Sequence, residues 1–119
     1  MTLTLAVIGQ GYVGLPLAVR AASAGINTVG IDSNSAWVDA INTAAASIEQ
    51  VDVTELSQTI KSKKFRASSD FSEAKRADVV AICVPTPLDE NHNPDLSYLN
   101  SAIEALAPHV KVGALIILE

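Results

Sequence analysis

The pattern that most constrains the fold is G-x-G-x-x-G, formed by residues 9–14 near the start of the chain. Residues 3–8 before it are apolar and partly β-branched, as expected of a strand covered on both faces of a parallel sheet. Residues 15–24 after it predict an alanine-rich helix, and Gly25 stands where a helix C-cap glycine is expected. A strand, a glycine turn and a helix in this order open a βαβ unit.

Strands and helices continue to alternate along the rest of the chain, and strands joined by helices form parallel sheets with right-handed crossovers. We therefore predict one Rossmann-type doubly wound α/β domain of three layers over residues 1–119. The predicted strands cover residues 27–31, 65–67, 78–84 and 114–118. The predicted helices cover residues 35–42 (capped by Ser33 or Asn34), 53–63 and a segment from Asp95 or Ser97 to about 107, with a single turn at 71–75.

Composition narrows the class of protein. A hydrophobic content of 49% over 119 residues excludes a disordered chain, and a net charge of −5 argues against a nucleic-acid partner. The single cysteine, Cys83, excludes an internal disulfide and fits a reducing cytoplasm. The first apolar run ends at Gly9, too early for a signal peptide or a membrane span, so we expect a cytoplasmic protein.

Each glycine of the pattern has a physical use in holding a dinucleotide. Gly9 permits the tight turn, Gly11 lets the backbone approach a pyrophosphate, and Gly14 lets the helix pack closely on the strand. The helix N-terminus then offers free N–H groups and the positive end of its dipole to the phosphates. A glycine-rich turn without a ligand has the same local pattern, so the surrounding elements carry the inference.

Asp32 follows the second predicted strand, where an acidic residue accepts hydrogen bonds from the adenosine ribose. Its charge would repel a 2′-phosphate, which favours NAD over NADP. The glycine pattern by itself also fits other dinucleotides such as FAD, and an aspartate here can act simply as a helix cap.

Three longer segments resemble the UDP-glucose/GDP-mannose dehydrogenase family: residues 9–18 (GQGYVGLPLA), 77–88 (ADVVAICVPTPL) and 94–99 (PDLSYL). The resemblance covers nearly the whole chain and corresponds to the family's N-terminal, NAD-binding domain. The combination of PTPL with PDLSY resembles the branch acting on UDP-N-acetylhexosamines, the N-acetylglucosamine and N-acetylmannosamine enzymes, more than the UDP-glucose branch.

The resemblance implies oxidation of a nucleotide-sugar 6-hydroxyl to a carboxylate in two NAD-dependent steps, for polysaccharide biosynthesis. It also implies a parent enzyme that forms a homodimer or larger homo-oligomer. The residues it implies for NAD binding are Gly9, Gly11, Tyr12, Val13, Gly14, Asp32 and Thr86. We expect the adjoining Gln10, Ser33, Val84 and Pro85 to contribute to the same site. Thr86 also follows a predicted strand at the edge where doubly wound sheets bind ligands, between prolines that restrict its loop.

One position departs from the family pattern. The family usually has Lys or Arg five residues after the ribose aspartate, where this chain has Trp37. The departure puts a basic contact to the adenosine side in doubt. Trp37 either packs in the core, which we expect, or stacks near the adenine.

The oxidation also needs groups that this chain lacks. An aldehyde on the way to an acid is trapped by a cysteine thiolate, and in the family that cysteine and its lysine, asparagine and aspartate helpers lie further along. Cys83 falls in a run expected to be buried, where a thiol has a raised pKa and poor access. His92 and His109 are isolated, so no metal site is predicted. We expect an inactive fragment of a longer protein.

Two other functions remain open from the sequence. A stand-alone NAD(H)-sensing module would need the same cofactor site, although the Pro85–Pro87 loop and the downstream segment 94–96 disfavour it. The cofactor domain of a hydroxyacid or hydroxyacyl dehydrogenase would share the glycine pattern but not the segments around residues 12–16 and 85–88.

Overall fold

A five-stranded, fully parallel sheet forms the centre of the molecule in the computed structural model, which describes residues 2–46 and 48–119. The strands lie in the order β3-β2-β1-β4-β5, so the chain fills one side of β1 and then crosses to the other. This order confirms the predicted Rossmann-type doubly wound α/β fold. The strands are β1 (Thr4–Ile8), β2 (Asn27–Ile31), β3 (Phe65–Ser68), β4 (Val79–Ile82) and β5 (Leu115–Leu118).

Helices cover both faces of the sheet and give the domain its three layers. Val7 of β1 packs with the first three helices, whereas its neighbours Ala6 and Ile8 point to the opposite face and pack with the fourth helix. This alternation is what a strand buried on both faces requires. The helices are α1 (Gly14–Ser23), α2 (Ser35–Asn42), α3 (Val53–Lys61) and α4 (Ser97–Leu106), with 3-10 turns at Phe71–Arg76 and Ala107–His109.

The strand register brings the carboxyl ends of β1, β2 and β4 to one edge of the sheet. Ile8 pairs with Ile31 on one side and with Ile82 on the other. Just past these ends, the N–H of Gly9 donates to the Ile31 carbonyl and the N–H of Cys83 donates to the Ile8 carbonyl, both at 2.7 Å. The strand order reverses at β1, so this edge is the switch point where doubly wound folds form their ligand crevice.

Two predicted strands differ from the observed ones. β4 ends at Ile82 rather than at residue 84, and Cys83 and Val84 are half-buried rather than buried. β5 was predicted to be a buried strand, and this was wrong: the side chains of Leu115–Leu118 are 41 to 66% exposed. β5 lies at the edge of the sheet beside β4, and within the described residues nothing covers either of its faces fully. Its apolar sequence alone could not reveal this.

Candidate dinucleotide-binding site

A cavity of about 590 Å³ opens at the switch point of the sheet. The ends of β1 and β2 line the cavity through Ile8 and Ile31, and the loops that follow these two strands line it as well. Seven of the eleven residues predicted to bind the cofactor line this cavity: Gly9, Gln10, Gly11, Asp32, Ser33, Val84 and Pro85. The other four, Tyr12, Val13, Gly14 and Thr86, are not part of its wall.

Close backbone packing fixes residues 9–14, the glycine loop. Gly9 has a φ of +91°, and a β-carbon there would lie 2.8 Å from the Cys83 carbonyl oxygen. A β-carbon at Gly14 would lie 1.7 Å from the carbonyl oxygen of Gly9, well inside contact distance. Gly9 therefore needs its left-handed conformation, and Gly14 lets the start of α1 press against the loop, as the motif predicts.

Gly11 has the opposite environment. Among the described residues, its two chain neighbours aside, no atom lies within 4 Å of a β-carbon built at this position, so fold packing does not require glycine here. The helix beside it begins at Gly14 without a side-chain cap, and the N–H groups that start a helix have no partner inside it. Here the Leu15 N–H donates to the Gly11 carbonyl at 3.2 Å and Pro16 has no N–H, so the N–H groups around Val13 and Gly14 are the relevant donors. An open glycine next to an uncapped helix N-terminus is suited to close approach by an anionic group.

Gln10 has a structural role that the sequence did not suggest. Its side chain is completely buried, and its Nε2 donates to the carbonyls of Val7 (3.0 Å) and Gly9 (3.1 Å). Its Oε1 has no hydrogen-bond partner among the described residues. The amide lies over Gly30 of β2, where a β-carbon would come within 2.3 Å of Oε1. The side chain of Gln10 therefore anchors the loop to the sheet at the edge of the cavity.

Asp32 lies at the end of β2, as predicted, and holds two backbone N–H groups. Its Oδ2 accepts from the N–H of Gln10 and its Oδ1 accepts from the N–H of Asn34, both at 2.9 Å. A carboxylate has about four acceptor positions, so each oxygen keeps capacity for another donor. The side chain is half-buried and borders the cavity, where a ribose diol could reach it.

Trp37 reaches from α2 to the glycine loop. Its Nε1 donates to the Gln10 carbonyl at 2.7 Å, and its ring is half-buried against the core below α1–α3. The predicted packing role of Trp37 is therefore confirmed, but the same side chain also lines the cavity. Asn34 caps α2 through a hydrogen bond from the Trp37 N–H, at 3.1 Å.

The far wall of the cavity comes from elements that the sequence did not link to the site. It is formed by the 3-10 turn and by one side of α4, through Phe71, Tyr98, Ser101, Ala102 and Ala105. The spacing of these α4 residues, three to four apart, places them on one helix face. That spacing was a usable signal, but nothing in it indicated which face would meet the glycine loop.

The loop after β4 is ordered by its own hydrogen bonds. Leu88 and Pro94 form an isolated antiparallel bridge, and the Asp89 side chain accepts from the N–H groups of Asn91 and Asn93. Val84 and Pro85 at its start line the cavity, whereas Thr86 is exposed and outside the wall.

Cys83 lies one residue beyond β4 and is half-buried against the core. Partial burial, and next the negative charge of Glu119, raises the pKa of its thiol. The thiolate is therefore disfavoured, which agrees with the expectation that Cys83 is not a nucleophile.

Comparison with known proteins agrees with the family resemblance seen in the sequence. Residues 3–119 match the model of the UDP-glucose/GDP-mannose dehydrogenase family, NAD binding domain. The chain is 42% identical to UDP-N-acetyl-D-mannosamine dehydrogenase of Escherichia coli and 39% identical to NDP-N-acetyl-D-galactosaminuronic acid dehydrogenase of Ralstonia nicotianae, covering 98% of this chain and 27% of each relative. It thus spans about a quarter of the length of these curated relatives.

A solved structure of UDP-D-ManNAc dehydrogenase from Pyrococcus horikoshii superimposes with a TM-score of 0.91 at 38% identity, over 98% of this chain and 28% of that one. With a family match over nearly all residues and a fold that agrees this closely, the chain belongs to the UDP-glucose/GDP-mannose dehydrogenase family and is its NAD-binding domain.

Proposed function

We propose that this domain holds NAD for a longer enzyme that oxidises the 6-hydroxyl of a UDP-N-acetylhexosamine to a carboxylate with two NAD. The observation that carries the proposal is the cavity at the switch point, where open Gly11 and the acceptor atoms of Asp32 face the same space. Residues 1–119 form the cofactor domain, and the sugar-binding and catalytic domains belong to the remainder of the parent protein.

The pyrophosphate binds beside Gly11, at the N-terminus of α1. Gly11 offers space for phosphate oxygens. The N–H groups of Tyr12 and Val13, just before α1, and of Gly14, its first residue, lie near the positive end of the helix dipole. Tyr12 is 74% exposed and leaves this approach open.

The adenosine ribose binds at Asp32. Each carboxylate oxygen already holds one N–H group in place, so the two oxygens are fixed before a ribose arrives. Within the described residues no ion pair neutralises this carboxylate, and Trp37 occupies the position where the family usually has a cation. A 2′-phosphate would therefore meet an uncompensated negative charge, which favours NAD over NADP.

NAD supplies the hydride acceptor for both oxidation steps. The residues of this chain bind and orient it: Ser33 adjoins the ribose site, and Val84 and Pro85 border the other end of the crevice. Thr86 follows Pro85 outside the cavity wall, and we assign it to NAD binding on the family resemblance. On the family resemblance we assign the nucleophile and the proton-transfer groups to the remainder of the parent protein. The raised pKa of Cys83 disfavours its thiolate and supports this assignment.

The sugar specificity rests on the printed names of the relatives and on the PTPL and PDLSY segments. Relatives at 42% and 39% identity are named for N-acetyl-D-mannosamine and N-acetyl-D-galactosaminuronic acid nucleotides. We assign the parent enzyme to the cytoplasm, to polysaccharide biosynthesis and to a homodimer or larger homo-oligomer. Within the described residues no helix is long and apolar enough to cross a membrane, and the net charge of −5 is unfavourable for nucleic acid.

The cofactor site is tested by calorimetric titration of the 119-residue chain with NAD and with NADP. We expect NAD to bind in preference to NADP, and Gly11→Ala to weaken NAD binding by about tenfold or more, about 1.4 kcal/mol. Because a β-carbon at Gly11 meets no protein atom, this variant should keep the wild-type melting temperature. Wild-type affinity in Gly11→Ala would place the pyrophosphate elsewhere and contradict the proposed site.

The reaction is tested on the full-length parent protein. UDP-N-acetylmannosamine, UDP-N-acetylglucosamine and UDP-glucose should be compared for NADH released per sugar consumed. We expect two NADH per UDP-N-acetylhexosamine, and no NADH from the 119-residue chain alone. One NADH per sugar, or turnover by the short chain, would contradict the proposal.

A further inference from the structure

We propose that Trp37 is a positioning residue for NAD: its indole N–H holds the glycine loop against Asp32 and so sets how tightly the nucleotide binds. This inference rests on the proposed site. It gives a role to the position where the chain departs from the family pattern, and the role differs from that of a basic side chain.

Four residues form a closed circuit of hydrogen bonds around the adenosine side of the cavity. The Trp37 indole donates to the Gln10 carbonyl (2.7 Å), and the Gln10 N–H donates to Asp32 Oδ2 (2.9 Å). The Asn34 N–H donates to Asp32 Oδ1 (2.9 Å), and the Trp37 N–H returns to Asn34 Oδ1 (3.1 Å). The circuit links the glycine loop after β1, the loop after β2 and the start of α2.

In this circuit, the hydrogen bond from the Trp37 indole to the Gln10 carbonyl is the one that joins a side chain of α2 to the glycine loop. Removing it leaves the Gln10 carbonyl without that donor, while the Gln10 N–H stays bonded to Asp32 and its side-chain amide stays bonded to Val7 and Gly9. The peptide that joins Gln10 to Gly11 then has one restraint fewer. Because Gln10 precedes Gly11, rotation of that peptide changes the direction of the backbone beside the proposed pyrophosphate site. The indole N–H therefore restricts motion in the segment that must be ordered for binding.

The body of the ring makes a second contribution. It is held between the core below α1–α3 and the cavity, next to Asp32 and Asn34. Phenylalanine can keep this apolar contact while removing the donor, so Trp37→Phe separates the hydrogen bond from the packing. Val38→Ala is the matched control: Val38 is the next residue on α2, it is buried in the same core, and it is not part of the cavity wall.

The first measurement is amide hydrogen exchange in the ligand-free 119-residue chain, followed by NMR. We expect the Gln10 N–H to exchange about tenfold faster in Trp37→Phe, the effect on local opening of one lost hydrogen bond. Resonance shifts should be confined to residues 9–14 and 32–34. Val38→Ala should lower the melting temperature without this local change. Unchanged Gln10 exchange in Trp37→Phe would overturn the proposal without reference to NAD.

The second measurement is the NAD affinity of the folded variants by calorimetry. We expect Trp37→Phe to bind NAD about three- to tenfold more weakly, the range for one lost hydrogen bond. Val38→Ala should bind as the wild type does. Faster Gln10 exchange in Trp37→Phe with undiminished NAD affinity would show that the bond is structural and overturn the positioning role.

The two measurements separate this proposal from the site on which it rests. If the wild-type chain binds no NAD, the proposed cofactor site fails for the isolated domain. The exchange result then decides alone whether Trp37 holds the glycine loop, and unchanged exchange overturns the proposal.

Discussion

The two sides of the sheet are built differently. The half containing β1, α1, β2 and α2 is closely packed. Gly14 contacts the Gly9 carbonyl, the Gln10 amide packs on Gly30, and the Trp37 indole donates to the Gln10 carbonyl. The side containing β4, α4 and β5 is open. Its long loop is exposed, and large apolar side chains there face solvent, among them Leu88 (63%) and the four residues of β5.

This difference indicates which part of the sheet holds the groups proposed to recognise the ligand and which part forms only an apolar wall. Groups proposed to recognise the phosphates and the ribose are held by contacts within the first 37 residues, so little ordering is needed when a ligand arrives. The second side supplies an apolar wall through Tyr98 and Ala102, but its contacts do not extend to β5. Substitutions should therefore have large effects on the first side and smaller effects on the second.

The largest effect is expected for Gly14→Ala. Its β-carbon would lie 1.7 Å from the Gly9 carbonyl oxygen, and both atoms belong to closely packed backbone, so the helix must shift. We expect a loss of about 3 kcal/mol or more in the free energy of unfolding, measured by urea denaturation. The matched change on the second side, Ile116→Thr in β5, should alter stability by no more than about 0.5 kcal/mol.

Equal losses in these two variants would remove the contrast between the sides. That result would show that α1 can move away from the loop at little cost, or that β5 is buried in solution.

A smaller effect is expected for Gly30→Ala, because its β-carbon meets a side chain rather than backbone. The Gln10 amide lies 2.3 to 2.9 Å from that β-carbon, and, being fully buried, it has no open space to enter. We expect destabilisation of about 2 kcal/mol. In the double variant with Gln10→Ala the clash disappears, so the two losses should be less than additive by about 1 kcal/mol.

Strict additivity in that double-mutant cycle would mean that the two residues do not touch. Denaturation of the four proteins under one set of conditions is sufficient to decide.

The smallest effect is a pH dependence on the second side. Asp78 pairs with Lys111 and accepts from the Thr4 N–H, and these two contacts lower the pKa of its carboxyl. A lowered folded-state pKa contributes stability above the unfolded-state value of about 3.9, and that contribution is lost as the pH falls through the folded-state pKa. Asp78→Asn should therefore flatten the acid limb of the urea midpoint measured from about pH 6 to pH 2.

An acid limb that is unchanged in Asp78→Asn would assign the loss of stability to other carboxylates. Asp70 and Asp95 are the next candidates. Hydrogen bonds from Ser72 lower the pKa of Asp70, and hydrogen bonds from Ser97 lower the pKa of Asp95.

Local patterns predicted most of the fold and part of the site. The bounds of β2 and α2, the glycine turn and the aspartate after β2 follow from residues close together in sequence. Glycine spacing, strand composition and capping residues act over a few residues, which is why they could be interpreted without a structure. The residues in the family segments add specificity to the same local signals.

The remaining features depend on contacts between distant residues. The burial of Gln10 depends on Gly30, twenty residues later, and the bond from Trp37 depends on how α2 leans toward the first loop. The exposure of β5 depends on its place at the sheet edge. No periodicity in the sequence encodes these arrangements. The anchoring role of Gln10 was therefore not predicted, and β5 was wrongly predicted to be buried.

Trp37 has a further consequence for how this protein can be observed. It is the single tryptophan of the chain, so the indole emission arises from one place, the cavity wall beside Asp32. Its intensity and wavelength report the polarity and occupancy of that wall, and β5, which contributes no residue to the cavity lining, should affect them little. The domain thus contains an optical probe of its own nucleotide pocket, and no label has to be attached to it.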